Sequence, residues 1–100
     1  MTRYQFTPQT LNDLIDIWSY IAQDNEDAAD RVEEAIYDAC EFLAKTPLAG
    51  AVRKDLTSLP LRFWLVPQFP NYFIVYDPEP RPLQVIRVLH RAQDIRLMMH

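Results

Sequence analysis

The sequence predicts an α+β fold, with an N-terminal strand and an α-helical hairpin packed on a mostly antiparallel sheet. The element order is β-α-α-β-β-β, followed by a short C-terminal helix. The prolines lie at position 8 or from 47 onward and Gly50 is the only glycine, so residues 9–46 lack both strong helix breakers. Apolar residues recur at helical spacing up to residue 46, and strand-like runs follow residue 60. Helices grouped before a run of strands are typical of the α+β class.

The chain begins with a short strand and a clear helix start. Residues 4–6 alternate in character, which places Tyr4 and Phe6 on one face of a strand. Thr7 and Pro8 are the residue types preferred at the N-cap and at the first position of a helix. The predicted buried face of this helix consists of six apolar residues at helical spacing: Leu11, Leu14, Ile15, Trp18, Ile21 and Ala22.

A second helix follows Asp24-Asn25, which interrupts the first apolar stripe. Asn25 either ends the first helix in the left-handed conformation or caps the second, whose start is favoured by the acidic residues that follow. Thr46-Pro47 ends the second helix, and a tight turn between the two predicts an antiparallel pair. The buried stripe of the second helix is predicted as Ala29, Val32, Ile36, Ala39, Cys40 and Leu43.

The second half of the chain is predicted to hold a loop at 47–58, strands at 61–66, 72–76 and 83–89, and a short helix within 91–100. The β-branched and aromatic run at 72–76 indicates the interior of the sheet. Strict alternation places Leu61, Phe63 and Leu65 opposite Arg62, Trp64 and Val66. It likewise places Val85, Arg87 and Leu89 opposite Ile86, Val88 and His90.

Length and composition predict a single domain over residues 1–100. No apolar run approaches the ~20 residues that span a bilayer and no signal-peptide pattern is present, so we expect a cytoplasmic protein without membrane contact. The net charge of −4 combines −7 in residues 1–50 with +3 in residues 51–100, and we expect no direct binding of free nucleic acid. The lone Cys40 fits a core thiol, and no metal or cofactor is expected.

The candidate functional residues lie in the basic second half. Arg62 and Arg87 occupy the middle of strands, where they either form a basic face for phosphates or pair with acids on the open side of the sheet. His90 is either a general acid or base at a strand end or a structural residue. The apolar tail either contacts a partner or docks on its own sheet, the second being favoured for Ile95 and Leu97.

Several motifs in order resemble the ParE toxins of the ParE/RelE toxin–antitoxin superfamily, over residues 3 to about 96. Gln93 departs from the family, which commonly has arginine in the pattern His-x-x-Arg-Asp-Ile. The matching segments are Tyr4-Gln-Phe-Thr-Pro8, Asp13-Leu-Ile-Asp-Ile-Trp18-Ser-Tyr-Ile-Ala22, Asp24-Asn25, Ala28-Ala-Asp-Arg31, Pro47-Leu-Ala-Gly50, Val52-Arg-Lys-Asp-Leu56, Leu61-Arg-Phe-Trp64, Asn71-Tyr-Phe-Ile-Val-Tyr76 and Ile86-Arg-Val-Leu-His90.

The resemblance implies a non-enzymatic toxin that inhibits DNA gyrase and replication, neutralised in a hetero-oligomer with a cognate ParD-like or related antitoxin. The alternative is a ribosome-dependent mRNA endoribonuclease of RelE type, with Arg62 and Arg87 holding the phosphate and His90 moving protons. A third reading is a degenerate toxin that only binds its antitoxin. The predicted contact residues for target or antitoxin are Arg53, Arg62, Trp64, Arg87, Arg91, Arg96 and Met98.

Overall fold

The computed structural model describes residues 3–99 and confirms the predicted α+β order. Within these residues, three helices and five strands follow one another. They are β1 (Tyr4–Phe6), α1 (Pro8–Ala22), α2 (Glu26–Lys45), β2 (Ala51–Val52), β3 (Arg62–Leu65), β4 (Tyr72–Asp77), β5 (Leu83–His90) and α3 (Ile95–Met98). No helix within residues 3–99 is both long enough and apolar enough to cross a membrane.

The strands form one mixed sheet in the order β1-β5-β4-β3-β2. β1 runs parallel to β5, and the other neighbours are antiparallel. As the β-branched and aromatic run predicts, β4 lies in the interior of the sheet, and Ile74, Val75 and Tyr76 are completely buried. β2 lies within the segment 47–58 that was predicted to be a loop. The sequence does not reveal this strand, because two exposed residues are too few to show an alternation of apolar and polar side chains.

Both helices begin at the predicted caps. The Thr7 hydroxyl accepts a hydrogen bond from the Thr10 amide at 3.1 Å, and the Asn25 side chain accepts one from the Ala28 amide at 3.0 Å. Asn25 therefore caps α2 rather than ending α1 in a left-handed conformation. The predicted stripe of α2 is buried along its whole length, which confirms the second helix.

The predicted buried face of α1 is partly wrong. Leu14 is buried, but Leu11 and Ile15 are 50% and 62% exposed, whereas Thr10 and Asp13 face the protein interior. The cause is the position of α1 beside the open edge of β5, where backbone groups need polar partners. The helix is rotated so that its hydroxyl and carboxylate meet those groups.

The core has two parts, one on each face of the sheet. α1 and α2 cover the first face, over a cluster that includes Ile36, Leu43, Ile74 and Tyr76. We call the other side the outer face. Ile95 and Met99 cover it, packed with Leu61, Phe63, Val75 and Leu89. The docking of Ile95 on the sheet is thus confirmed, whereas the same prediction for Leu97 is wrong, since it is 72% exposed.

A β-bulge overturns the predicted faces of β5. Val75 pairs with Arg87 and Tyr76 pairs with Val85, so Ile86 is an extra residue on β5. As a result Val85 and Val88 both pack on the helix side, and Ile86 packs with the outer-face cluster. Strict alternation cannot predict an inserted residue.

Candidate functional site

Arg87 is bound inside the fold. Its Nε and Nη2 donate to the two carboxylate oxygens of Asp13, each at 2.8 Å, and the Val88 amide donates to the same carboxylate at 3.0 Å. The Arg87 and Asp13 side chains are only 12% and 10% exposed, and the hydrogen bonds from Arg87 to Asp13 raise the pKa of Arg87. The partner of Arg87 therefore comes from α1 and not from a neighbouring strand. β1 pairs with β5 only as far as Val85, and beyond that point Asp13 accepts the hydrogen bond of the Val88 amide that a further strand would otherwise take.

Arg62 is also engaged by backbone groups. Its Nη1 donates to the carbonyl of Gly50 at 2.7 Å and to that of Leu48 at 3.3 Å. The hydroxyl of buried Tyr76 donates to the Pro47 carbonyl at 2.7 Å and accepts from the Gly50 amide at 2.9 Å. Arg62 and Tyr76 together hold the segment that connects α2 to β2.

His90 and Gln93 organise the turn that follows β5. The Nδ1 of His90 accepts from the Ala92 amide at 3.0 Å, so this geometry requires the ring proton of a neutral His90 on Nε2. The Gln93 side-chain oxygen accepts from the His90 amide at 2.7 Å. Arginine has no acceptor, so this contact gives Gln93 a structural role at the position where the resemblance leads one to expect arginine.

The structure does not bring Arg62, Arg87 and His90 together. Arg62 lies opposite Tyr76 on β4, whereas His90 lies opposite Tyr72, four residues away, which corresponds to about 13 Å along a strand. Arg87 between them is occupied by Asp13. A single phosphate site formed by these three side chains is therefore not present in this geometry.

Trp64 lies on the helix side of the sheet, away from the outer-face cluster. Its ring stacks on Phe42 with centroids 5.3 Å apart, and it packs against the helix-side core. Its indole N–H is buried and has no hydrogen-bond partner within residues 3–99. Trp64 contributes to helix–sheet packing in the isolated chain.

Three of the predicted contact residues meet at one cavity. Arg53, Arg91 and Arg96 surround an open pocket of about 460 Å³, which we call the arginine pocket. Arg53 is held by Asp55 through bonds of 2.7 and 2.9 Å, and this pairing lowers the pKa of Asp55, with a smaller contribution from Arg96. The apolar lining comes from Leu56, Leu65, Phe73 and Ile95.

Met98 is half-buried beside this region, packed against the outer-face cluster. Sequence reasoning missed Phe73 as part of the pocket, although its neighbour Leu65 was assigned to this face by alternation. It also missed the role of Asp13, because nothing local distinguishes this carboxylate from the exposed acids of α1.

Cys40 is a core residue, as predicted. It is completely buried, and burial raises the pKa of its thiol to about 12, so the nucleophilic thiolate is scarce at neutral pH. Within residues 3–99, no three His, Cys, Asp or Glu side chains lie close enough to hold a metal ion.

Fold and site together define a small α+β protein with a basic, partly apolar pocket on one face of its sheet. The family model described as "ParE toxin of type II toxin-antitoxin system, parDE" matches residues 4–95. The chain therefore belongs to the ParE toxin family, which confirms the resemblance seen in the sequence.

A solved structure supports the same fold. The chain is similar to one in a structure titled "Chromosomal ParDE TA system from P. aeruginosa", with a TM-score of 0.70 and 17% sequence identity. The similarity covers 87% of this chain and 92% of that chain, and at this identity it shows the fold alone. No curated protein matches the chain in sequence.

Proposed function

We propose that this ParE-family toxin inhibits DNA gyrase by binding it and that a cognate ParD-like antitoxin neutralises the toxin. The observation that carries the mode of action is the separation of Arg62, Arg87 and His90. With Arg87 bound by Asp13 and His90 far along the sheet from Arg62, the geometry favours action by contact over cleavage of RNA. Family membership supports the toxin class.

The size of the molecule fits a protein that acts through a larger target. A standard interface takes about 800 Å² from each partner, roughly an eighth of the 6268 Å² surface of this chain. The outer face offers both charge and apolar area. The arginine pocket includes the exposed Leu65 of β3, and α3, which contributes Ile95 to the pocket, also carries the exposed Leu97. Binding energy rather than a catalytic group would then block the target.

The direct test is a supercoiling assay with purified gyrase and relaxed plasmid. We expect loss of supercoiling, or accumulation of cleaved DNA, at toxin concentrations comparable with that of gyrase. Preincubation of the toxin with the antitoxin from the adjacent reading frame should restore supercoiling. Normal supercoiling in the presence of a large excess of folded toxin would reject the proposal.

A parallel reaction separates the two modes of action. In a translating extract we expect transcripts to stay intact when the toxin is added. Ribosome-dependent cleavage, abolished by His90→Ala and retained in an exposed control such as Gln9→Ala, would instead support the endoribonuclease. Gln9 lies on the solvent side of the first turn of α1.

A further inference from the structure

The arginine pocket combines two kinds of surface in one concave site. Its apolar lining includes Leu65, which is 44% exposed on the edge half of the sheet, and the half-buried Phe73 opposite it. Ile95 supports the lining from the tail and is itself buried. An apolar side chain that entered the pocket would remove this surface from water, which is favourable in proportion to the area covered.

The rim of the pocket carries more positive than negative charge. Arg53, Arg91 and Arg96 line the pocket together with one acid, Asp94, and a second acid, Asp55, lies beside Arg53. Three positive groups thus face two negative ones in a chain of net charge −4. Asp55 already occupies Arg53. Arg91 and Arg96 form no side-chain hydrogen bond or ion pair within residues 3–99, and their guanidinium groups can bind carboxylates in bidentate fashion.

We infer that the arginine pocket binds an acidic segment of the antitoxin that places an apolar side chain between Arg91 and Arg96. The inference rests on the proposed function, which supplies the antitoxin as a partner. Concavity favours a linear segment over a flat protein surface, and the apolar lining favours a peptide over a bare phosphate backbone. The pocket is therefore a site of neutralisation, and it is distinct from the positions of Arg62, Arg87 and Trp64.

Affinity for the purified antitoxin, measured by calorimetry at about 150 mM salt, tests the charged rim. We expect Arg91→Gln/Arg96→Gln to weaken binding at least about tenfold, since charge-assisted hydrogen bonds are lost. The matched control is Arg31→Gln/Lys45→Gln, which removes the same charge from exposed positions on α2. The control should bind within about twofold of the parent protein.

A second pair of variants tests the apolar lining. Leu65→Ser should weaken binding several-fold, whereas Leu48→Ser should not, because Leu48 is 65% exposed on the connection after α2. Both residues are exposed enough for the chain to fold, which thermal unfolding and circular dichroism verify.

The outcomes separate this inference from the proposed function. If the parent toxin forms no complex with the antitoxin, the neutralisation part of the proposed function fails and this inference fails with it. If the parent binds, Arg91→Gln/Arg96→Gln is compared with its control, Arg31→Gln/Lys45→Gln. If both double variants lose the same affinity, or neither loses any, the pocket assignment alone is wrong. Binding of a single-stranded RNA oligonucleotide that Arg91→Gln/Arg96→Gln abolishes, with antitoxin affinity intact, would identify a phosphate site instead.

Discussion

At the scale of residues, the mid-strand arginines act inside the fold. Arg62 holds backbone carbonyls after α2, and Arg87 holds a carboxylate that also satisfies the Val88 amide. A guanidinium in a strand requires such partners because burying an unpaired charge is costly. Charge reversal at either position would therefore disturb the fold as well as any interface, and the exposed Arg91 and Arg96 are better probes of binding.

The Asp13–Arg87 pair gives the first prediction. Asp13→Asn removes the negative charge from an almost buried bidentate pair and should lower the free energy of unfolding by about 2–4 kcal/mol. Urea denaturation monitored by circular dichroism measures the change. Asp16→Asn on the exposed side of the same helix is the control and should change stability by less than about 0.5 kcal/mol. Equal effects in the two variants would mean that the pair adds nothing specific.

Gly50 and Tyr76 give the second prediction. A Cβ at Gly50 would lie 2.6 Å from the Tyr76 hydroxyl and 3.0 Å from the Phe63 carbonyl, so close approach, not an unusual backbone angle, requires glycine. Gly50→Ala should destabilise the protein by about 1–3 kcal/mol through overpacking.

A double-mutant cycle checks this cause. Tyr76→Phe leaves the Gly50 amide without its acceptor and should itself cost about 1–3 kcal/mol in unfolding free energy. In the Tyr76→Phe background, Gly50→Ala should cost less than in the parent, because the hydroxyl that it meets is absent. Additive costs would show that the hydroxyl is not the source of the clash, because the Cε1 atom, 2.8 Å from the same Cβ, remains in phenylalanine.

At the scale of elements, the N-terminus of α1 and the bulge of β5 are built together. The bulge disrupts the sheet ladder beside Val85 and Ile86, and the hydroxyls of Thr10 and Thr7 donate to their carbonyls at 2.8 and 3.0 Å. Thr7 at the same time caps the helix. The first turn of α1 therefore satisfies backbone groups of both the helix start and the irregular strand. This explains why Thr10 faces the interior while Leu11 is exposed.

Thr10→Val gives the third prediction. The substitution keeps the shape of the buried side chain but removes the donor to the Val85 carbonyl, and we expect a loss of about 1–3 kcal/mol in unfolding free energy. Faster amide exchange at the start of α1 should accompany it. Thr46→Val, with an identical chemical change at an exposed residue whose hydroxyl forms no hydrogen bond within residues 3–99, provides the comparison and should be silent. If the two substitutions were equivalent, the bulge would not depend on this hydroxyl.

At the scale of the whole molecule, the sheet separates two chemically different sides. The acidic helical hairpin covers one face, and the arginine pocket and the tail occupy the other. The opposite charges of the two halves of the sequence thus remain largely apart, with Asp13–Arg87 as a bridge at the sheet edge. A protein of net charge −4 can in this way present a local site for an acidic partner.

The two-sided core gives the fourth prediction. Ile95→Ala removes a buried anchor of the outer face and should lower the free energy of unfolding by about 2–4 kcal/mol, whereas Leu97→Ala should change it little. Tryptophan fluorescence reports on the helix side through Trp18 and Trp64, and circular dichroism reports on the whole chain. Both signals should shift to the same lower midpoint, because strands shared by the two clusters couple them. Separate midpoints would show two independent units.

The sequence predicted the elements better than their orientation. Proline and glycine placement, the caps at Thr7 and Asn25 and the stripe of α2 are local signals, and each is confirmed. The inward face of α1 and the side-chain order along β5 were missed because they depend on a bulge and on hydrogen bonds between residues more than 70 positions apart. The sequence predicted Arg53, Arg91 and Arg96 as contact residues, but it did not predict that these three line one pocket.

The amino-acid sequence by itself determined the α+β class, the order of the main elements and the resemblance to ParE toxins, because periodicity, caps and motifs are properties of neighbouring residues. Tertiary structure alone decided which charges are used within the fold and which stay available. Asp13 and Arg87 meet from opposite ends of the chain, whereas Arg53, Arg91 and Arg96 converge at one pocket. The reason is that a charge acquires its role from the partners that packing brings within a few ångströms, and the distance along the chain does not encode them.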